Sequence, residues 1–247
     1  MTRYLSLVVG AVVAVTCVRL GIWQLDRLAQ RRHRNAVTTE RLAEPVLPLD
    51  AASVLAVQAY PDSFRFRRAS AAGAFDFSRQ LVVLAQTSSG LPGIHVVTPL
   101  LVSDSLAVPV ERGWLPSPDG RSLDTTLARE PRSAVVTGVL LRAEPRRAGA
   151  VSADTWPRPV LSPDPAAVGP LYPYRLLPLV LRRDSVPRGT AALTAVPLPP
   201  LSNGPHLSYA IQWFAFATIA LVGSAIVFVR SGDRSGMEPG IGASRDA

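Results

Sequence analysis

The sequence contains no lysine, so all 26 basic side chains are arginine. Any contact with an anion therefore has a planar, bidentate donor available. The net charge of +8 is spread along the chain, not clustered, which argues against a nucleic-acid partner and leaves anionic lipid. The single cysteine, Cys17, rules out an intrachain disulfide, a paired-thiol redox site and a cysteine-based metal site. Methionine is confined to Met1 and Met237, so the soft ligands that carry cuprous ions are missing too. The three histidines, His33, His95 and His206, come with no G-x-S-x-G or H-E-x-x-H pattern, and no glycine-rich phosphate loop is visible. Catalysis needs a nucleophile, a base and a stabiliser within reach of one another, so the expectation is a protein that is not an enzyme.

What the chain does have is two long apolar runs. From Leu207 to Val229 there is no charge, enough residues to cross a hydrocarbon core of about 30 Å at roughly 1.5 Å per residue, and Arg230 follows at once. Tyr4 to Val18 is also apolar, and the helical pattern continues to Leu25. A cleaved signal peptide competes with a membrane anchor here, but no A-x-A site follows the apolar core, so an uncleaved anchor is expected. The small residues Gly10, Ala14, Cys17 and Gly21 recur at helical spacing, and Ala210, Ala217, Ala220 and Ser224 form a matching stripe, which predicts a close helix hairpin. Topology signals conflict. Arg230 and Arg234 place the C-terminus in the cytoplasm, whereas Arg27, Arg31, Arg32 and Arg34 pull the other way. Long loops translocate largely regardless of charge, so the segment between the helices is expected outside.

Between the helices, the pattern predicts strands at Phe66 to Phe75, Leu81 to Gln86, Gly93 to Val102, Leu106 to Trp114, Ala134 to Leu141 and Tyr174 to Arg182. Weak helical signals fall at Asp119 to Glu130 and Asp164 to Gly169. Pro99 and Pro109 suggest edge or bulged strands. The expected fold class is a membrane protein with two transmembrane α-helices flanking a mainly antiparallel β (α+β) extracytoplasmic domain, an antiparallel sheet or small open barrel. The expected divisions are a cytoplasmic N-terminus 1–3, transmembrane helix 4–25, basic helical extension and linker 26–63, β-rich domain 64–205, transmembrane helix 206–229 and a disordered cytoplasmic tail 230–247.

The polar, aromatic first half of the last helix suggests chemistry. Haem needs an axial ligand, an aromatic slot and cations near its propionates. His206, Tyr209 and Trp213 share one helical face, and Arg19 and Trp23, one turn apart on the first helix, are expected at the same depth. An ordinary interfacial aromatic belt with His206 as a helix cap explains the same residues.

Five segments, in order, resemble the surfeit-locus (Shy-type) family of cytochrome oxidase assembly factors. They are Leu20-Gly-Ile-Trp-Gln-Leu-Asp-Arg27, Gly73-Ala-Phe-Asp76, Gly93-Ile-His-Val-Val-Thr-Pro-Leu100, Arg112-Gly-Trp114 and His206-Leu-Ser-Tyr-Ala-Ile-Gln-Trp-Phe214. The resemblance implies a bacterial plasma-membrane protein with both termini cytoplasmic and an outer β domain, which binds haem a and assists its delivery to cytochrome c oxidase subunit I. Haem a synthase and membrane lipid are the other expected partners. The family's histidine corresponds to His206, the proposed haem iron ligand, and its tryptophan to Trp23; Tyr209, Trp213 and Arg19 complete the expected cofactor site. A scaffold that stabilises a maturing oxidase subunit without haem is the alternative. The sequence departs from the family pattern at Ile94, Glu111 and Gln86. For His95 a structural hydrogen bond between strands is expected, and for Arg112 and Trp114 a role in holding the domain together or docking a partner.

Overall fold

A computed structural model describes residues 2–145, 155–187 and 192–233, in two compact units: Met1–Val37 with Leu201–Ala247, and Thr38–Pro200. In chain order the elements are α1 (Thr2–Ala43), β1 (Leu47–Pro48), α2 (Ala51–Ala59), α3 (Pro61–Phe64), β2 (Arg68–Phe75), β3 (Leu81–Ser88), β4 (Leu91–Ser103), β5 (Leu106–Pro116), β6 (Ser133–Leu141), β7 (Arg158–Val160), α4 (Pro165–Val168), β8 (Arg175–Leu176), β9 (Val180–Arg183) and α5 (His206–Asp233).

The first unit is an antiparallel pair formed by α5 and the bulk of α1, both long and apolar enough to cross a membrane. Its seam is built from small residues. Ala14, Cys17 and Ala217 are buried against one another, with Ala220 and Trp213 packed beside them, and Ala210 is buried too. A Cβ added at Gly21 would lie 2.7 Å from the Phe214 ring, and one at Gly10 would collide with Ser224. Both predicted stripes therefore face the partner helix. On α1 the buried positions 10, 14, 17, 21 and 28 step by four and three, the repeat of two helices packed along a continuous seam. Arg234 and the predicted tail beyond Asp233 lie outside the described residues.

The second unit is organised by a ring of strands. β2 pairs with β6, β6 with β9, β9 with β5, β5 with β4, and β4 returns to β2 through Ala74↔Leu101 and Phe75↔Leu100. Of the expected antiparallel sheet or small open barrel, the barrel is what forms, and its ring is closed; the β5–β9 contact is parallel. Closure has a local cause: a Cβ at Gly73 would strike the Leu101 carbonyl, so glycine permits the two backbones to meet. Inside the ring lie Ala71, Phe75, Leu100, Val108, Val110, Val136, Leu140 and Leu181, one face of each strand. Residues expected as linker belong to this core: Leu49, and Val54 and Val57 from α2, whose first turn is capped by Asp50 accepting from the Ser53 N–H.

Beyond the ring, β3 extends β4 and β7 adds to β3 in parallel. This extension is covered on both faces, by Ala128 and Leu193 on one and by Val168 and Tyr172 on the other. Burial on two sides explains the continuous apolar run in β4.

Two expectations need correction, and a third divides. Asp119 to Glu130 is not helical; the Asp119 and Asp124 carboxylates bond the following backbone N–H groups and close turns instead. The predicted strand Tyr174 to Arg182 is broken at Pro178 into β8 and β9. For Pro99 and Pro109 the bulged alternative holds and the edge does not: they face each other in the central β4–β5 ladder, whose register shifts between Val96 and Val97 and again between Leu101 and Ser103. Each sits where its strand changes outer partner. Pro99 falls between the β3 and β2 pairings, and Pro109 between β8 and β9, so neither missing N–H breaks a ladder.

Candidate functional site

α5 begins at His206, immediately after Gly204 and Pro205. The approach is tied to α1 by Asn35, whose amide donates to the Ser202 carbonyl at 3.2 Å and the Asn203 side chain at 3.1 Å. The half-buried His206 ring meets α1 through Nδ1, 2.9 Å from Gln24 Oε1. With that oxygen as acceptor, Nδ1 carries the proton and Nε2 keeps a lone pair. Nε2 has no hydrogen-bond partner among the described residues. Gly204, at φ +68°, packs beside this edge of the ring, where an added Cβ would make ordinary contact 3.4 Å from Nε2. An imidazole fixed through one nitrogen, with the other free of a protein hydrogen bond, is the arrangement a metal-ligating histidine adopts.

Gln24 was absent from the expected site. It continues the spacing of Gly10, Ala14, Cys17 and Gly21, three residues on, and that continuation was the available signal. Of the expected residues, Trp213 joins His206 on the seam, half-buried and edge-on to Phe216 with centroids 5.9 Å apart. Tyr209 flanks it, 47% exposed. Arg19 and Trp23 are not brought to His206. At about 100° per residue both fall on the face of α1 turned away from Gly21 and Gln24, where Arg19 is exposed and Trp23 lies under the Arg27 guanidinium at 5.5 Å. Among the described residues there is no group of three or more His, Cys, Asp or Glu side chains placed to hold a metal ion.

The polar motif residues of the second unit are occupied otherwise. His95 Nδ1 and Glu111 Oε1 are 2.5 Å apart across β4 and β5, and Arg182 Nε donates to Glu111 Oε2 at 2.6 Å. Burial by itself would push the Glu111 carboxyl up, but the His95 hydrogen bond and the Arg182 guanidinium outweigh it and hold it below the usual carboxylate range. The expected interstrand role of His95 is what the geometry shows. Register slips between Val96 and Val97, leaving Arg112 as the extra residue of a bulge in β5.

Arg112 is fully buried, 2.9 Å from Glu130, and its guanidinium stands 5.4 and 5.1 Å from the Phe75 and Phe77 rings. It also donates to Gln80 Oε1 at 3.0 Å and to the Ala128 carbonyl. Arg183 donates to Glu130 at 2.6 Å and to the Arg112 carbonyl at 2.9 Å. Burial would raise the Glu130 carboxyl; its two arginines bring it below its ordinary 4.5. Trp114 packs over Gly93, where a Cβ would hit its indole. Asp76 receives the Tyr174 hydroxyl at 2.7 Å, and its N–H donates to the Pro99 carbonyl. The three motifs of this unit thus bind one another.

Two helices long and apolar enough to cross a membrane bracket in sequence a closed β-barrel, and a histidine bonded to Gln24 opens the second helix; these features define the class of protein. The match to a family model extends from residue 11 to 218, and the chain belongs to the SURF1 family, known generally as cytochrome oxidase assembly factors. Uncharacterised SURF1-like proteins of Mycobacterium tuberculosis and Mycobacterium bovis are similar to it: 27% identity over 224 residues, covering 89% of this chain and 80% of theirs.

Proposed function

We propose that this protein assists assembly of a haem-copper cytochrome c oxidase by holding haem a at the helix hairpin, with His206 Nε2 as axial ligand, for transfer to subunit I. The observation that carries this reading is the pairing of Gln24 Oε1 with His206 Nδ1, which leaves Nε2 without a hydrogen-bond partner among the described residues. The donor set fits one axial imidazole. Bound there, haem a would be cargo for the oxidase. Gln24 fixes the ring and its tautomer, while Trp213 and Tyr209 offer aromatic surface on the same helix. Arg19 and Trp23 have no part in the slot, because they face away from it. The hairpin lies in the bacterial plasma membrane with both termini cytoplasmic and the barrel outside. Haem a synthase, upstream of the cargo, and subunit I, downstream, are its partners.

The test is co-purification with haem a from cells that synthesise it. The wild-type protein carries the haem spectrum and His206→Ala loses it, with thermal unfolding of the barrel unchanged. Haem retained undiminished by His206→Ala overturns ligation at this residue. A wild-type protein without haem that still co-purifies with subunit I supports the scaffold reading instead.

A further inference from the structure

The barrel unit carries a cavity of about 320 Å³ that the hairpin reading leaves unused. His95, Glu111 and Arg182 line it, and Phe66, Arg65 and Gln86 stand around them. The backbone is distorted at two points of this wall. Phe66 has φ +68° and Ala85, next to Gln86, has φ +54°. Each costs roughly 1–3 kcal/mol for a residue with a side chain, and such residues cluster where a ligand is held. Ala85 lies in the bulge where the β3–β4 register slips between Val83 and Gln86. A second bulge, at Arg112, sends neighbouring Glu111 and Arg112 to different networks.

The charges choose the ligand. Glu111 is spent on His95 and Arg182 together, so it offers the cavity no free acceptor. Arg182 uses Nε on Glu111 and Nη1 on the Pro197 carbonyl at 3.4 Å, leaving the N–H groups of Nη2. Arg65 is held by the Phe66 ring, 4.7 Å away, and makes no ion pair among the described residues. At the rim Arg142 is paired with the Asp62 carboxylate at 2.9 Å, and Glu144 lies nearby. A metal cation would meet guanidinium groups, and a purely apolar guest would strip water from them without replacing its hydrogen bonds. An oxyanion is the guest that arginine side chains bind in their planar, bidentate fashion, and Arg65 and Arg182 both line the cavity.

We propose that this cavity binds a small oxyanion group, a carboxylate or phosphate, held by Arg65 and Arg182, with Glu111 and His95 fixing the Arg182 fork. The site is independent of haem, so it is tested on haem-free, full-length protein in detergent. Sodium phosphate and sodium succinate are titrated calorimetrically at constant ionic strength, with chloride as control. Saturable binding of either anion is expected. Arg65→Gln lowers its affinity about tenfold, the size of one lost charge-assisted hydrogen bond. Arg182→Lys, which keeps a charge beside Glu111 but loses the planar fork, lowers it similarly; Arg65→Gln, which breaks no ion pair among the described residues, is the variant whose unfolding temperature stays unchanged. Tighter phosphate assigns a phosphate group and tighter succinate a carboxylate; both support the site. No saturable heat from either anion, or heats unchanged in both variants, means an adventitious ion only and overturns the proposal.

Discussion

The two units use motif residues in opposite ways. In the barrel they are consumed by the fold: Arg112 is fully buried, Gly93 makes room for Trp114, Gly73 permits ring closure, and His95 has its Nδ1 on Glu111. In the hairpin the motif residues remain partly unspent, with His206 Nε2 unpartnered among the described residues and Tyr209 and Trp23 about half exposed. A motif therefore does not by itself mark a ligand site. What separates the cases is burial: Arg112 and Trp114, whose indole N–H has no partner, lie inside the barrel, whereas Tyr209 and Trp23 stand about half exposed.

The largest effect separating the units is expected at Glu130. Glu130→Gln leaves Arg112 and Arg183 buried without their carboxylate, which costs about 3–5 kcal/mol, read as a lower denaturant midpoint for the barrel. A loss below about 1 kcal/mol would show that the network is incidental. The same group sets an acid limit. Its carboxyl is lowered in the folded state, so the unfolded chain binds more protons and the stability it contributes is complete above its ordinary 4.5. That stability drains as pH falls through the lower folded value. Glu130→Gln should flatten this acid slope, and an unchanged slope would assign it to other groups.

Next comes the seam. Gly21→Val drives a branched side chain into the Phe214 ring, an overpacking of about 1–3 kcal/mol. In Ala217→Cys protein, oxidation links the new thiol to Cys17, and adding Gly21→Val should cut the yield. Equal yields would mean the helices do not meet along this face. Smallest is Arg65→Gln, an exposed change with no ion pair among the described residues to lose, which should move stability by less than about 0.5 kcal/mol.

Periodicity made much of this legible in the sequence. The small-residue stripes and the main strands follow from steps of three and four or from alternation. Gln24 was equally legible, since it extends the α1 stripe, but a polar residue beside Trp23 drew attention to the ring. Depth groups Arg19 and Trp23 with His206, and the family resemblance adds Trp23, but depth says nothing about which side of a helix a residue occupies. Ring closure was hidden because it rests on long-range register at Gly73. The left-handed Phe66 and Ala85 were beyond sequence reasoning altogether, since neither residue type signals a positive φ.

The free Nε2 of His206 is the central claim, and chemical rescue tests it most directly. His206→Gly removes the ring and leaves Gln24 unpaired; the absorption spectrum of this variant, purified with haem a synthesis active, is recorded with and without added imidazole. The expected result is loss of the haem a spectrum and its return with imidazole. A variant that keeps the wild-type spectrum without imidazole would contradict the assignment.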